Sequence, residues 1–565
     1  MDLSLSSKRD FAFFHSWVPK WLAVIVLFLL FLPILFVNGA YSSTAGEMTA
    51  GLGIISEHIQ FANFLSAVGM AVFGPLLVPY IRIRRPKMVF QTGFLLLFFL
   101  SWVSAQTTYM PLLFLCSFLM GLLKVALILN TLFAMAEYLT GIDILGIFTV
   151  YNPHEAPEEV AKRERLKSLG LPVLYLFFVS LGQVGSAVTA WFAYEYEWQY
   201  VYWAICVLIL IALLLVSVTM RYMPRKKGVK INFSYSGDII AASAALAAFS
   251  YILIYGKTLD WFDNFSIRLA SAIFIISSGV LLFLVVNTRK PYFDLNIFKV
   301  RKVVAALLFF TLFMILNSSS MLVNAFTAVS MKLDNYRSAS LGNWSLVGYL
   351  IGCLIAVVMT YKRVPYRYMF GLGFALITLS AVYLYFQYQS MGVYGNMIFP
   401  VITRATGMLM LYALFGTLGM TGLRADKFLG TWIFLMLAAR SVIGPVAGTS
   451  LYANALNQRT QHYIVRLSQD VDRMNPEVAA TYDGTRMGMM MQGKSYEQAE
   501  QMAAISTKGR VQVQATLVAL KEITGWTIFA GIGCTLLALF FPYEERKKKI
   551  HIIQGSGIAS VVPAP

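Results

Sequence analysis

Long apolar runs alternate with short clusters of lysine and arginine along almost the whole chain. A run of about twenty apolar residues is the length at which an α-helix crosses the hydrocarbon core of a bilayer. Lipid offers no hydrogen-bonding partner to an exposed backbone, so such runs must be helices. The sequence predicts an all-α polytopic membrane protein with fourteen spans, at residues 21–41, 61–81, 88–105, 111–138, 169–191, 201–220, 239–255, 267–286, 303–325, 344–361, 368–386, 397–420, 429–451 and 523–541.

Composition agrees with this prediction. The chain is 58% hydrophobic and only 13% charged, which leaves too little polar surface to cover a water-soluble globule. The net charge of +18 would suggest nucleic acid in a soluble protein, but here the basic residues lie between apolar runs, where they orient a membrane protein. We therefore expect no nucleic-acid partner.

The basic clusters fall in every second connection between spans. With the amino terminus in the cytoplasm, the inner connections hold the clusters at residues 82–87, 162–167, 221–230, 289–302, 362–367 and 424–427. Because short cytoplasmic loops are enriched in lysine and arginine, this alternation predicts an even number of spans. Both termini are predicted to be cytoplasmic.

The spans at 239–255 and 267–286 stand between six spans before them and six after them. This layout predicts an amino-terminal six-helix bundle at residues 1–220, a two-helix linker hairpin at 221–302 and a carboxy-terminal six-helix bundle at 303–545. A basic cytoplasmic tail is predicted to follow at 546–565. Two six-helix halves suggest a transporter.

Two connections are longer than turns. Residues 139–168 include a predicted helix that opens at Pro157 and lies along the cytoplasmic face, either as a solvated charged helix or as a gating or docking element. Residues 452–521 are predicted to form a long outer loop with a helical portion and a methionine cluster, Met487 and Met489 to Met491. We favour packing of these methionines on the outer face over an adaptable binding surface.

Several short motifs occur in the same order as in a known family. They are VNGA at 37–40, STAG at 43–46, LDWFD at 259–263, YFDLNIFKVRK at 292–302, PVITRATG at 400–407 and AARSVIGPVAGTS at 438–450. With the layout of six, two and six spans, they resemble the fourteen-helix drug:proton antiporters of the major facilitator superfamily, the EmrB/QacA type. The chain resembles a divergent member, because no carboxylate precedes VNGA and the loop after the second span lacks the family's aspartate.

The resemblance implies a major facilitator fold, with two pseudo-symmetric bundles around a cavity that opens alternately to either side. It implies proton-coupled efflux from a bacterial inner membrane, and a periplasmic membrane-fusion adaptor as a partner. With the usual aspartate missing, Glu137 or Glu47 would have to carry the proton.

Charged residues inside predicted spans need a partner, a wet cavity or a function, because burying a charge in a bilayer is costly. The candidates are Lys124, Glu137, Arg404 and Arg440. Lys124 either binds an anionic group of a substrate or is a buried cation bonded to carbonyls or a carboxylate. Glu137 either gates with the basic loop at Arg82, Arg84 and Arg85 or transfers a proton. The resemblance places Arg404 and Arg440 in the transport path, with structural pairing as the alternative.

Uncharged polar candidates for the cavity wall are Asn38, Gln183, Asn317 and Asn324, although hydrogen bonds between helices would also explain them.

No catalytic site, cofactor or metal site is predicted: there is no phosphate-binding GxxxxGK[ST] loop, and the histidines are scattered. The four cysteines, Cys116, Cys206, Cys353 and Cys534, lie in apolar runs and are predicted to be buried thiols.

The sequence thus predicts a secondary-active transporter that exports amphipathic or hydrophobic compounds, with an anionic group if Lys124 is a substrate ligand, and that is not an enzyme. The alternative is a transport-inactive membrane receptor or assembly scaffold on the same fold, which the altered motifs and the long outer segment favour. The expected partners are a small amphipathic substrate, the lipid bilayer and the adaptor.

Overall fold

The computed structural model describes residues 14–76, 86–140, 157–222, 235–288, 291–362, 364–389, 392–420, 425–469, 471 and 475–542. Within these ranges the regular secondary structure is helical, apart from one isolated antiparallel β-bridge between Phe14 and Met220. Thirteen of the described helices are long and apolar enough to cross a membrane, and Lys20–Phe36 is a shorter apolar helix. The predicted all-α, multi-pass membrane architecture is confirmed.

The amino-terminal lobe consists of α1 (Lys20–Phe36), α2 (Ala45–Leu52), α3 (Ser56–Val72), α4 (Pro86–Gln106), α5 (Met110–Thr140), α6 (Pro157–Glu195) and α7 (Gln199–Thr219). Helices α3 and α5 pack backbone to backbone, because Gly121 lies directly against the Ser66 carbonyl and leaves no room for a side chain. Buried aliphatic and aromatic side chains of α1, α4 and α7 form the core of this lobe.

The linker hairpin consists of α8 (Ser236–Tyr255) and α9 (Phe265–Asn287). The end of the hairpin where α8 turns toward α9 is attached to both lobes. His58 Nδ1 of α3 lies 2.5 Å from the Tyr255 hydroxyl, and the Ser450 hydroxyl of the carboxy-terminal lobe donates to the Leu253 carbonyl at 2.8 Å.

The opposite end of the hairpin is attached in the same way. The Tyr292 hydroxyl donates to the Val72 carbonyl of α3, and the Asp294 amide donates to the Thr431 hydroxyl of the other lobe at 3.1 Å. Apolar residues of α3, the hairpin and the carboxy-terminal lobe share one buried cluster between these ends. The hairpin therefore packs against the junction of the two lobes.

The carboxy-terminal lobe consists of α10 (Arg301–Asn317), α11 (Ser320–Val329), α12 (Asn335–Asn343), α13 (Ser345–Tyr361), α14 (Tyr366–Gln387), α15 (Ile398–Met420), α16 (Ala425–Leu437), a π-helical turn (Ala438–Ile443), α17 (Gly444–Gln469), α18 (Pro476–Met491) and α19 (Tyr496–Phe540). Its core is rich in phenylalanine, and the rings of Phe370 and Phe415 stack with centroids 4.5 Å apart. The lobes meet where α3 contacts α16 and the π-helical turn, and where α6 contacts α12, α13 and α15.

The segment predicted as a long outer loop is mostly helical. Helix α17 continues to Gln469, α18 follows, and the last helix begins at Tyr496 rather than at residue 523. The reason is local capping: Ser495 and Gln498 form a capping box, and the Asn475 side chain accepts from the Glu477 amide. The methionines do not pack as predicted, since Met487, Met490 and Met491 are 60%, 43% and 87% exposed.

Two further boundaries differ from the prediction. The helix predicted along the cytoplasmic face begins at Pro157, but it continues without interruption into the fifth span as α6. The first span ends at Phe36 instead of residue 41, because Val37 adopts an extended conformation. The four cysteines are free and buried, as predicted.

Candidate functional site

The first span is broken at the VNGA motif. After α1 ends, residues 37–41 are not helical, so the last carbonyl groups of the helix have no intrahelical donor. The buried Lys124 ammonium of α5 donates to the carbonyls of Leu35 at 3.3 Å and Val37 at 2.9 Å, and to Asn38 Oδ1 at 2.8 Å. A lysine ammonium has three N–H groups, so all of them are used at this helix end.

The first span of the carboxy-terminal lobe is broken at an equivalent place. Helix α10 ends at Asn317, and α11 begins after two residues. Arg404 of α15 donates through Nε to Asn317 Oδ1 at 3.3 Å and through a terminal nitrogen to the Asn317 carbonyl. Arg404 therefore binds the end of the broken helix in the carboxy-terminal lobe, as Lys124 does in the amino-terminal lobe. In each lobe it follows its asparagine by almost the same distance along the chain, 86 residues for Lys124 and 87 for Arg404.

A small cavity adjoins Arg404 inside the carboxy-terminal lobe. Its polar lining consists of the side chains of Arg404, Ser319, Ser380, Tyr388, Thr524 and Thr527. Its interior has the size of about one water molecule. This cavity is too small for an amphipathic compound.

Arg440 lies between the lobes and has different neighbours. It belongs to the π-helical turn, and its guanidinium lies 4.5 Å from the ring centre of Tyr412 and 5.6 Å from that of Tyr175. Tyr175 belongs to α6 of the amino-terminal lobe and Tyr412 to α15 of the other lobe, and their rings stack with centroids 6.0 Å apart. In the described part of the chain, the half-buried Arg440 guanidinium makes no hydrogen bond or salt bridge.

The two tyrosine hydroxyls beside Arg440 face sulfur atoms. The Tyr412 hydroxyl lies 3.4 Å from Met314 Sδ, and the Tyr175 hydroxyl lies 4.0 Å from Met436 Sδ. A thioether is a weak acceptor, so both O–H groups would bond more strongly to a carboxylate, sulfonate or phosphate oxygen. Arg440, Tyr175 and Tyr412 thus form a cluster of donors that suits an anion with an apolar body.

The remaining sequence candidates are not brought to this cluster. Gln183 of α6 is half-buried, and its amide lies against Gly342 of α12 at another contact between the lobes. Asn324 is exposed. Glu137 lies in α5, but its side chain, like the loop with Arg82, Arg84 and Arg85, lies outside the described residues.

Sequence reasoning missed the two tyrosines and the two methionines. Tyrosine inside an apolar span is common in this chain, which has 30 tyrosines, so neither residue stands out by type. The available signal was Arg440 itself, because a charge in a span needs neighbours that tolerate it.

A further contact between the lobes involves α2, α6 and α12. Asn335 Nδ2 of α12 donates to Glu47 Oε2 of α2 at 2.8 Å, and the rings of Tyr194 and Tyr336 stack at 5.3 Å. These contacts join helices of both lobes at a place apart from the donor cluster.

Comparison with solved structures identifies this arrangement of helices. Tetrameric PepTSo2 matches with a TM-score of 0.50 at 14% identity, over 92% of this chain and 97% of that chain. An auto-inhibited POT family peptide transporter matches with a TM-score of 0.50 at 12% identity, over 94% and 99% of the two chains. This is the major facilitator fold.

A third structure, a mutant of the peptide transporter POT in complex with sulfate, matches with a TM-score of 0.50 at 13% identity, over 91% of this chain and 94% of that chain. Comparisons with protein-family models and with curated protein sequences found no match. At these identities the shared feature is the fold, and the function has to be argued from the residues of this chain.

Proposed function

We propose that this protein is a secondary-active transporter that moves an amphipathic organic anion through the interface between its two lobes. The observation that carries this proposal is the half-buried Arg440 guanidinium, which lies against one tyrosine from each lobe and has no anionic partner in the described part of the chain. An unpaired charge at that depth is costly unless it meets water or a ligand.

The depth of Arg440 suits a transport site. It is ten residues into the span Gly430–Gln469, which corresponds to about 15 Å of helix. The hydrocarbon core is about 30 Å thick, so Arg440 lies within it, between the two lobes. Substrate sites of secondary transporters lie near the midplane, between the repeats.

The chemistry of the neighbours sets the substrate class. Arg440 and the hydroxyls of Tyr175 and Tyr412 would bind the anionic group, and the tyrosine rings with Met314 and Met436 would contact the apolar body. Thioethers are flexible and polarizable, so such a site would accept several related compounds.

Alternating access requires contacts between the lobes that can open. The Glu47–Asn335 hydrogen bond and the Tyr194–Tyr336 stack join the lobes on the outer side, and we propose that they form the outer closure. A few polar contacts of this kind can break and form again as the lobes rock.

The finer points of the proposal come from the sequence. Proton-coupled efflux from a bacterial inner membrane, with a periplasmic adaptor as partner, follows from the resemblance to the EmrB/QacA type. In this proposal Glu47 or Glu137 carries the coupled proton. A pH gradient across reconstituted vesicles should then drive substrate movement, and its collapse should stop it.

The experiment uses purified protein in vesicles and two sets of fluorescent amphipaths of equal size, one anionic and one cationic. We expect flux of the anions, and a reduction of about tenfold or more in Arg440→Gln, since a charge-assisted hydrogen bond contributes about 1.5–3 kcal/mol. Arg268→Gln, which removes an exposed arginine of the hairpin, is the matched control and should keep full flux.

Two outcomes would count against the proposal. Equal flux of anions in wild type and Arg440→Gln would remove Arg440 from the substrate site. No flux of any amphipath by folded protein would favour the alternative of a receptor or assembly scaffold.

A further inference from the structure

A groove between the last two spans lies apart from the donor cluster at Arg440. It has a volume of about 260 Å³ and is lined by Ala455, Gln458, Arg459, His462 and Trp526. On α17, Gln458 and Arg459 follow Ala455 by three and four positions and precede His462 by four and three, so these residues share one face of the helix. The groove is smaller than a typical pocket for a drug-sized ligand, which occupies about 300–1,000 Å³.

The position of the groove along the helices places it at the surface of the membrane. Residues 441–458 carry no charge, and Arg459 is the first charged residue after them. On α19 the uncharged run is 523–540, and Glu522 is the last charged residue before it. Both helices therefore change from polar to apolar at the level of Arg459 and Glu522. Because α19 has 45 residues, or about 67 Å, it must extend well beyond a bilayer core of about 30 Å.

The charges in the groove form a pair that remains open to solvent. Arg459 Nε lies 3.5 Å from Glu522 Oε1, and these side chains are 39% and 25% exposed. The Tyr463 hydroxyl donates to the other oxygen of Glu522 at 3.0 Å and so holds the carboxylate in place. A carboxylate has about four acceptor positions, and an arginine has five N–H donors, so both groups can take another partner.

Aromatic residues lie on the membrane side of this pair. The Arg459 guanidinium lies 5.0 Å from the ring centre of Trp526, which is 44% exposed, as is typical of tryptophan at a membrane surface. One turn deeper Phe529 is 76% exposed, and a side chain at Gly533 would meet open space. An apolar track therefore leads from the charged pair along α19 into the bilayer.

We propose that this groove binds a phospholipid whose headgroup joins a phosphate to a primary ammonium. Arg459 would bind the phosphate, since a guanidinium matches its oxygens with two parallel hydrogen bonds. Glu522 would accept from the ammonium, and Gln458 and His462 would complete the polar lining. Trp526, Phe529 and the gap at Gly533 would receive the acyl chains. The guanidinium and the carboxylate adjoin each other, so together they complement a headgroup that carries an anion and a cation side by side.

The test is native mass spectrometry of the full-length protein exchanged into detergent with equal amounts of phosphatidylethanolamine, phosphatidylcholine and phosphatidylglycerol. Wild type should retain phosphatidylethanolamine about tenfold better than the others, because trimethylammonium lacks N–H donors and glycerol lacks the positive charge. Arg459→Gln should lose retention of all three lipids. Glu522→Gln should lose only the preference for phosphatidylethanolamine over phosphatidylglycerol.

Arg466→Gln is the matched control, since it removes an exposed arginine from the same helix two turns farther from the membrane. Melting curves of all variants in the same detergent show whether they are folded. If Arg459→Gln fails to fold, Trp526→Ala provides a second test, and it should weaken retention of every lipid.

A parallel sample contains free phosphoethanolamine as a competitor of the bound lipid. Effective competition at low millimolar concentration would assign the groove to a soluble ligand and overturn the lipid proposal.

Equal retention of the three lipids by wild type, or the same pattern in Arg459→Gln as in wild type, would also overturn it. This outcome does not depend on transport, because lipid retention is measured without a substrate.

Discussion

In both lobes the first helix is broken, and a cation from another helix binds the broken end, but the cation differs between the lobes. In the amino-terminal lobe, Lys124 directs three N–H groups at three acceptors of one helix end. In the carboxy-terminal lobe, Arg404 binds only Asn317 at the break and faces a polar cavity with the rest of its guanidinium. The comparison teaches that a cation inside a span can be the cap of a helix that belongs to another part of the chain.

Arg440 has no counterpart in this scheme. Among the described residues it contacts two tyrosine rings and caps no helix end, and it lies between the lobes instead of within one. The contrast separates two roles that look alike in the sequence. Lys124 and Arg404 should matter first for stability, and Arg440 first for transport.

The largest loss of stability is expected for Lys124→Met. The change leaves the Leu35 and Val37 carbonyls and the Asn38 amide without their donor in a buried place, at about 1–3 kcal/mol for each unsatisfied group. Thermal unfolding of the purified protein in detergent should show a much lower midpoint than wild type. A variant that unfolds like wild type but loses flux would instead make Lys124 a substrate ligand.

A smaller loss is expected for Arg404→Gln, about 1–2 kcal/mol, because the shorter amide can still donate one hydrogen bond toward Asn317. The same unfolding assay measures it. Asn317→Ala provides a partner for a double-mutant cycle, since two residues in direct contact should show non-additive effects. Additive losses would show that the pair does not stabilise the break.

For Arg440→Gln we expect a change in stability of less than about 1 kcal/mol, because a cation over two rings contributes little where water can reach it. Flux of amphipathic anions should nevertheless fall by about tenfold or more. Unfolding and flux measured on one preparation separate the two effects. A large loss of stability in this variant would place Arg440 with Lys124 and Arg404.

A small change in stability, similar to that of Arg440→Gln, is expected for Glu47→Ala, which removes one exposed hydrogen bond between the lobes, at about 0.5–1.5 kcal/mol. Its main effect should be on conformation, because the outer closure loses one of its contacts. A cysteine in place of the half-buried Ser338, about one turn after Asn335 in α12, should react faster with a membrane-impermeant thiol reagent in this background than in one with Glu47 intact. Unchanged labelling would remove Glu47 from the closure.

Much of the fold could be predicted from the sequence. The apolar runs marked the membrane-length helices, and helices α8 and α9 pack against the junction of the two lobes. Helix boundaries were less accurate where side chains decide them: Ser495 and Asn475 cap helices in a segment that looks like a loop by composition. The methionines there are exposed because α18, among the described helices, packs mainly against α19.

The sequence by itself determined that this chain crosses a membrane many times, because apolar length and basic clusters act locally and need no tertiary partner. It also marked the costly charges. Only the tertiary structure decided what those charges do, since the acceptors of Lys124 and Arg404 lie 86 to 89 residues earlier in the chain and the rings around Arg440 come from two lobes. A hydrogen bond depends on distance in space, and separation along the chain does not reveal it.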